Sequence, residues 1–257
     1  MQFEHKKIIV DIKDDYKELL DFENYRIGVF SYRCKTKTSQ ENEDSVFLSA
    51  SSQKVFLGVA DGAGGHPRGR DASFTVADFV FRKPNDNCID MIEDINRAIL
   101  DLKVGAKTTL AMMTIQDEMA RFYSVGDSEI IHWNSQGAEV YKSTPHSSTG
   151  LKIEAGITSQ EESLHDPDRY IVNNLLGDEY IKIETTNRIP IKKGHTVLIG
   201  TDGLFDNLTH EELNQVIANG NFDNAFEDLV NICIKRYETE WLKDDDIGFV
   251  VVKKIKA

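Results

Sequence analysis

The sequence has few of the residues that mark disulfide-bonded, zinc-binding and membrane proteins. Its three cysteines, Cys34, Cys88 and Cys233, are far apart and form no CxxC pair, which argues against a disulfide framework and a zinc site. No apolar run approaches the length of a membrane span, and the N-terminus lacks the apolar core of a signal peptide. We therefore expect a soluble protein in a reducing compartment, the cytoplasm.

Linkers and repeats are absent as well. The five prolines are scattered, and no Gly/Ser/Pro-rich stretch divides the 257 residues. A chain of this length can build one large core, so we predict a single domain over residues 1–257 rather than two small ones.

Positive charge is in the minority. The 30 basic residues face 43 acidic ones, which gives a formal net charge of −13. Such a field repels nucleic acids and anionic membranes, so neither is an expected partner. The same charge also keeps many ordinary proteins dispersed, and it names no function by itself. Nothing in the pattern requires an oligomer, and a monomer is expected.

The apolar patterning predicts an α+β fold. Two helical faces are clear, one from Met91 to Leu102 and one from Phe226 to Trp241, and capping patterns at Thr209 with Glu212 and at Ser159 with Glu162 predict two more helix starts. Short β-rich runs resemble strands of antiparallel sheets. These runs cover residues 45–48, 55–60, 110–115, 122–133, 138–142, 196–200 and 247–252.

Acidic residues stand at the ends or bends of these predicted strands. A carboxylate directly after a buried strand is costly unless it is paired or bound to a metal. Each Asp-Gly pair can also be a plain turn. Several carboxylates aimed at one point repel one another, and oxygen ligands without a Cys/His cluster favour Mg²⁺ or Mn²⁺. The residues in question are Glu43, Asp44, Asp61, Asp127, Asp202, Asp206 and the run Asp244, Asp245 and Asp246.

A glycine loop follows one of these acids. Gly62, Gly64 and Gly65 carry no side-chain bulk, so that a backbone carbonyl or a phosphate can approach closely. The loop matches neither GxxxxGK[ST] nor GxGxxG, so nucleotide binding is not inferred.

Taken in order, six segments resemble the PP2C-type (PPM) serine/threonine phosphatases, and the bacterial members in particular. The match spans nearly the whole chain, and residues 145–177 resemble the flap of that family. The six segments are 42–45 (NEDS), 59–66 (VADGAGGH), 105–109 (GAKTT), 125–128 (VGDS), 201–206 (TDGLFD) and 245–247 (DDI).

The resemblance implies two antiparallel β-sheets in a sandwich, with antiparallel helices on both outer faces. It implies two Mg²⁺ or Mn²⁺ ions, with Asp61 bridging them, the Gly62 carbonyl on one, and Asp202 and Asp245 on the other. A water molecule between the ions would attack the phosphorus. Glu43 and Asp44 would act near the first ion through water. Asp127 and Asp206 would form a weaker third site with Asp202.

Two positions depart from the family pattern. Ser39 stands where an arginine commonly holds the substrate phosphate, and Lys37, Lys35 or Arg33 are the candidates to replace that charge; they can equally be solvated surface groups. Ala63 stands where eukaryotic members often carry a histidine. His66 is then a residue that organises the loop, with a catalytic acid as the alternative.

The predicted function is hydrolysis of phosphoserine and phosphothreonine in phosphorylated proteins. No cysteine or serine nucleophile is expected, and Cys34 is predicted to be incidental. Two alternatives share the pattern: a catalytically silent module that binds phosphoproteins, and a metal-dependent phosphohydrolase of small molecules.

Overall fold

Two antiparallel sheets pack face to face, and helices cover both outer faces. The structure, a computed structural model, describes residues 6–10 (backbone only), 15–35, 41–51, 54–217, 220–236 and 243–256. Within these residues the first sheet has seven strands and the second has six. The architecture confirms the predicted α+β sandwich.

The first sheet runs in the order β1, β4, β5, β6, β7, β10, and β11 also pairs with β7. Its strands are β1 (Lys6–Val10), β4 (Asp44–Ala50), β5 (Val55–Asp61), β6 (Leu110–Gln116), β7 (Met119–Val125), β10 (Glu184–Thr185) and β11 (Ile189–Pro190).

The second sheet runs in the order β2, β3, β13, β12, β8, β9. Its strands are β2 (Tyr16–Phe22), β3 (Tyr25–Tyr32), β8 (Glu129–Trp133), β9 (Glu139–Lys142), β12 (Thr196–Gly200) and β13 (Ile247–Lys254).

Alternation along the strands creates the layers. Val46 and Leu57 of the first sheet point into the same central core as Val197 and Val250 of the second, because successive side chains of a strand face opposite ways. The outward side chains form two further cores under the helices. The helices are α1 (Gly69–Arg82), α2 (Cys88–Leu100), α3 (Ser148–Glu154), α4 (Gln160–Ser163), α5 (Asp202–Phe205), α6 (His210–Ile217) and α7 (Phe222–Arg236).

The predicted helices are confirmed at α2, α4, α6 and α7, although Tyr237 and Trp241 of the last predicted face lie outside the described residues. Both capping patterns are present. The Thr209 N–H donates to Glu212 Oε2 at 2.9 Å, and the Glu212 N–H donates to Thr209 Oγ1 at 3.2 Å. Ser159 and Glu162 form the equivalent box at α4.

One predicted strand is wrong. Residues 122–133 are two strands, β7 and β8, that belong to different sheets. The break falls at Gly126, whose φ of 102° is a conformation that other residues seldom adopt. In the described residues, no helix combines the length and the hydropathy needed to cross a membrane.

Candidate active site

The acidic residues come together at one end of the sandwich, where strands of both sheets end. Asp44 and Asp61 face each other across β4 and β5. Asp202 follows β12, and Asp245 stands two residues before β13, the strand that pairs with β12. The two sheets thus bring residues that are far apart in sequence to one place.

Thr201 joins the two sheets at this end. Its N–H donates to the Gly248 carbonyl at 2.9 Å, and its hydroxyl donates to Asp44 Oδ2 at 2.7 Å. The same hydroxyl accepts from the Gly248 N–H at 3.0 Å. Because Thr201 immediately precedes Asp202, these bonds fix the spacing between Asp202 and Asp44.

Asp246 holds the segment that leads into β4. Its Oδ1 accepts from the Cys34 N–H at 2.7 Å, and its Oδ2 accepts from the Glu43 N–H at 2.9 Å. The Glu43 carbonyl in turn accepts from the Gly62 N–H at 3.1 Å. The sequence pattern gave Asp246 no role, yet this carboxylate spans three chain segments of the site.

The carboxylates repel one another. Burial raises the pKa of Asp61 well above its usual range, and the charges of Asp202, Asp44, Asp245 and Asp127 raise it further. This is the signature of acids gathered in one poorly hydrated place.

The other side of the cluster shows the same effect. Burial, and after it the charge of Asp202, raises the pKa of Asp127, although Lys243 opposes the shift. Burial likewise raises the pKa of Asp206 to about 6, against the charge of Lys243. Asp127 Oδ1 is buried and accepts no hydrogen bond from the described residues. A buried carboxylate oxygen in this situation has the chemistry of a cation ligand.

Lys243 lies inside the cluster, and the sequence pattern did not single it out. Its ammonium contacts Asp202 Oδ2, lies 2.9 Å from Asp206 Oδ2 and lies 3.6 Å from Asp245 Oδ2. Burial lowers the pKa of Lys243, but the surrounding carboxylates outweigh it and hold that pKa well above its usual range. The ammonium is therefore a fixed positive charge.

Two glycines allow the close packing of this end. A Cβ on Gly62 would lie 2.5 Å from the Gly69 carbonyl carbon, at the start of α1. A Cβ on Gly203 would lie 1.9 Å from the Asp246 carbonyl oxygen. Side chains at either position would push apart the segments that carry Asp61 and Asp202.

The donor set fits hard divalent cations. In the described residues, no group of three or more Asp, Glu, His or Cys side chains is arranged so that it could hold a metal ion. Mg²⁺ keeps several water ligands and needs only one or two carboxylates at each ion. The buried Asp127 oxygen and the mutual repulsion around Asp61 agree with that kind of hydrated site.

Comparison with known proteins decides the family. The family model described as Protein phosphatase 2C matches residues 34–244. The chain belongs to the protein phosphatase 2C family. It is a metal-dependent protein phosphatase, which confirms the predicted hydrolysis of phosphoserine and phosphothreonine in proteins; neither alternative is favoured.

Individual relatives agree with this assignment. Protein phosphatase PhpP of Streptococcus pneumoniae is 25% identical over 199 residues, which cover 71% of this chain and 80% of that protein. The serine/threonine phosphatase of S. agalactiae superposes with a TM-score of 0.75 at 22% identity and covers 90% of this chain and 100% of its own. The catalytic domain of PstP, solved with two manganese ions, gives 0.71 at 19% identity, over 90% and 99% of the two chains. At these identities the superpositions show the fold.

The phosphate-binding candidates of this phosphatase lie on one segment. Lys37 and Ser39 lie outside the described residues. Arg33 is half-buried and directly precedes Cys34, whose N–H is bound by Asp246. Lys35 is exposed, with its ammonium 5.0 Å from the centre of the Tyr32 ring. Of the described candidates, Arg33 is the half-buried one and Lys35 the exposed one.

A further guanidinium, on α1, contacts the residue that follows Asp44. Arg70 Nη1 donates to Ser45 Oγ at 3.0 Å. Burial lowers the pKa of Arg70, while Asp71 and Asp246 act in the opposite direction. The resemblance gave this residue no part, and nothing in its local sequence marks it as adjacent to Asp44.

Residues 145–177 lie beside the acids, as a flap would. A groove is lined by Asp127, Asp202 and Asp206 on one side and by flap residues on the other, among them Ser147 and Ile153. The flap segment and the cluster also interact electrostatically, because burial raises the pKa of Asp206 and the charge of Arg169 opposes that rise.

His66 of the glycine loop and the buried Cys34 do not form a nucleophile pair. The His66 N–H donates to the Ala63 carbonyl at 3.3 Å, which closes the turn of the glycine loop. Cys34 is fully buried. The choice between loop organisation and acid catalysis for His66 remains a prediction.

Proposed function

We propose that Asp61, Asp202, Asp245 and the Gly62 carbonyl hold two divalent cations, Mg²⁺ or Mn²⁺, and that phosphoserine and phosphothreonine proteins are hydrolysed beside them. The observation that carries this proposal is the position of Asp61. It is a buried carboxylate whose pKa is raised by burial and by four neighbouring carboxylates, so positive charge nearby would be needed to keep it ionised near neutral pH.

Each part of the chain then has a definite task. Asp61 interacts electrostatically with Asp44 of the first sheet and with Asp202 and Asp245 beside the second, so it would contribute to holding both ions. Asp44 is oriented by the Thr201 hydroxyl and Glu43 by its backbone bond to Asp246, so both can hold water at the first ion. Asp127 and Asp206, with Asp202, would form a weaker third cation site.

Two bound cations would lower the pKa of a water molecule and offset the negative charge that develops on the phosphoryl oxygens. The chain itself supplies orientation. Arg33, and Lys37 from outside the described residues, would hold the substrate phosphate, and the groove beside the flap would receive the polypeptide around the phosphorylated residue.

The proposal extends to the domain organisation, the oligomeric state and the location of the protein. We propose a single domain over residues 1–257 that acts as a monomer in the cytoplasm, with phosphorylated proteins as its partners. The net charge of −13 disfavours nucleic acids and anionic membranes as alternatives.

The test is hydrolysis of a phosphothreonine peptide by the purified chain. We expect phosphate release with Mn²⁺, arrest by EDTA, and loss of both turnover and tight Mn²⁺ binding in Asp202→Ala. Asp94→Asn is the matched control, since this carboxylate pairs with Arg97 on the exposed face of α2. Full activity of Asp202→Ala, or activity that survives EDTA, would contradict the proposal.

A further inference from the structure

Lys243 is the cation that the structure itself places among the acids. Its side chain is only 4% exposed, and three carboxylates lie within 4 Å of its ammonium: Asp202, Asp206 at 2.9 Å and Asp245 at 3.6 Å. A buried ammonium is stable only where carboxylates replace its lost hydration. Here three of them do so at once.

Both the backbone and the ammonium of Lys243 have further partners. The Lys243 N–H donates to Asn207 Oδ1 at 2.8 Å, and the Lys243 carbonyl accepts from Asn207 Nδ2 at 3.3 Å. Asn207 stands directly after Asp206, so the same turn positions the lysine backbone and one of its carboxylates. On the flap, the centre of the Tyr170 ring lies 5.2 Å from Nζ, within range of a cation–π contact.

An ordinary buried ion pair looks different in this chain. Lys254 is buried to the same extent, with 4% of its side chain exposed, but it pairs with the single carboxylate of Glu118 at 2.7 Å. One partner therefore suffices to stabilise a buried lysine here. The extra carboxylates around Lys243 are those that the proposed function assigns to cations.

Like charges exclude each other at such short range. Asp202 and Asp206 are members of the proposed third cation site, and the Lys243 ammonium touches both. A divalent ion on the same two carboxylates would lie a few ångströms from a fixed positive charge, where repulsion is strong. The Lys243 ammonium and a third divalent ion therefore compete for the same position beside Asp202 and Asp206.

We propose that the Lys243 ammonium takes the place of a third divalent cation, so that the acidic cluster binds two divalent ions and not three. This inference rests on the proposed function, because the two remaining ions are those held by Asp61, Asp202 and Asp245. The lysine supplies one positive charge at that position without water ligands and without dependence on metal concentration.

The experiment counts ions on the full chain. Mn²⁺ is titrated into metal-free wild-type protein, Lys243→Met, Lys243→Arg and Lys254→Met, with binding followed by calorimetry and by the electron paramagnetic resonance of free Mn²⁺. We expect two ions for the wild type, for Lys243→Arg and for Lys254→Met. Lys243→Met should gain a third ion, bound at least about tenfold more tightly than any third ion in the wild type. Adding Asp206→Asn to Lys243→Met should remove it again.

Two results would overturn the inference alone: three ions of equal affinity in wild type and Lys243→Met, or two ions in both. Absence of Mn²⁺ binding from every protein, wild type included, would overturn the proposed function and this inference together. Circular dichroism checks that each variant is folded. Should Lys243→Met not fold, the wild-type count decides, since a third tightly bound ion there contradicts the proposal and two ions in both wild type and Lys243→Arg support it.

Discussion

The hydroxyl of Thr201 donates a 2.7 Å hydrogen bond to Oδ2 of Asp44, and both residues are buried where the two sheets meet. The bond joins residues 157 positions apart in sequence. It holds the Asp44 carboxylate of the first sheet against the end of β12 in the second sheet, next to Asp202. The geometry of the acidic cluster therefore depends on a side chain that has no charge.

Thr201→Val should loosen this junction. The variant keeps the shape but removes the donor to Asp44 and the acceptor for the Gly248 N–H. Because buried polar groups lose a partner, we expect the free energy of unfolding to fall by about 2 kcal/mol. Mn²⁺ affinity should fall about tenfold or more, as for other residues that orient a metal ligand. Urea unfolding and Mn²⁺ titration measure the two effects.

Thr201→Ser is the matched control, since it keeps the hydroxyl and loses one methyl group. It should retain wild-type Mn²⁺ affinity. Equal losses of affinity in the valine and serine variants would show that packing, and not the hydrogen bond, positions Asp44.

Asp61→Asn should have opposite effects with and without metal. In EDTA at pH 7.5 the variant should be more stable than the wild type by roughly 1–3 kcal/mol, because a buried charge that four carboxylates repel is removed. With Mn²⁺ at about 100 times its Kd the wild type should gain about 2.7 kcal/mol, and the variant much less. Thermal unfolding in both conditions provides the comparison.

Asp94→Asn serves as the control here too, because this exposed carboxylate lies in a surface pair with Arg97. It should unfold like the wild type in both conditions. If Mn²⁺ stabilised Asp61→Asn as much as the wild type, Asp61 would not be a ligand.

Much of the site could be predicted because its signals are local. Asp61 and Asp202 each close an apolar run and are followed by glycine. The predicted strands are confirmed as β5, which ends at Asp61, and β12, which ends two residues before Asp202. The capping patterns at Thr209 and Ser159 are likewise readable within four residues. Patterns of this length report turns and strand ends, which is where the acids lie.

The rest depends on contacts between distant segments. The helix α1 was not predicted, because Thr75, Val76 and aromatic residues give its sequence no clear helical preference, and packing on the first sheet decides it. Residues 122–133 read as one strand because only the conformation of Gly126 breaks them. Lys243 is positioned by a hydrogen bond to Asn207, which is distant in sequence, so no local pattern could predict its place in the cluster.

Acid should destabilise the protein through a buried histidine pair far from the phosphatase site. His132 Nε2 lies 2.9 Å from His195 Nδ1, and His132 is fully buried. Burial, and then the charge of His195, lowers the pKa of His132 to about 4. The lysines at 192 and 254 also lower the pKa of His195, after burial.

The direction of the pH effect follows from the number of protons that His132 binds in the folded and unfolded states. Between pH 6.5 and about 4, His132 is protonated in the unfolded chain but stays neutral in the folded protein. The stability that its neutral form contributes is therefore fully present above pH 6.5 and is lost as the pH falls toward 4. The loss should reach at most about 3 kcal/mol. His132→Phe should flatten the decline between pH 6.5 and 4.5, measured by urea unfolding. His165→Gln, at an exposed position, should keep the wild-type slope, and an unchanged slope in His132→Phe would contradict the assignment.

Replacement of the three basic residues before the cluster tests how the phosphate is held. Arg33 adjoins the segment that Asp246 binds, whereas Lys35 is exposed and Lys37 lies outside the described residues. If they supply the charge that Ser39 does not, the triple alanine variant should raise KM for a phosphothreonine peptide about tenfold, through the loss of a charge-assisted hydrogen bond to phosphate. The effect on kcat should be smaller, since the acids and their cations are untouched.

Charge alone must be separated from position. The matched control, Arg82→Ala with Lys83→Ala and Lys103→Ala, removes the same three charges near the ends of α1 and α2. It should leave KM unchanged at moderate salt, because exposed charges beyond about 10 Å are screened there. An equal rise of KM in both triple variants would mean that only the overall field attracts the peptide, and an unchanged KM in the first would remove Arg33, Lys35 and Lys37 from the site. Single replacements then rank the three, and Arg33→Ala is expected to account for most of the effect because Arg33 is half-buried and directly precedes Cys34, whose N–H is bound by Asp246.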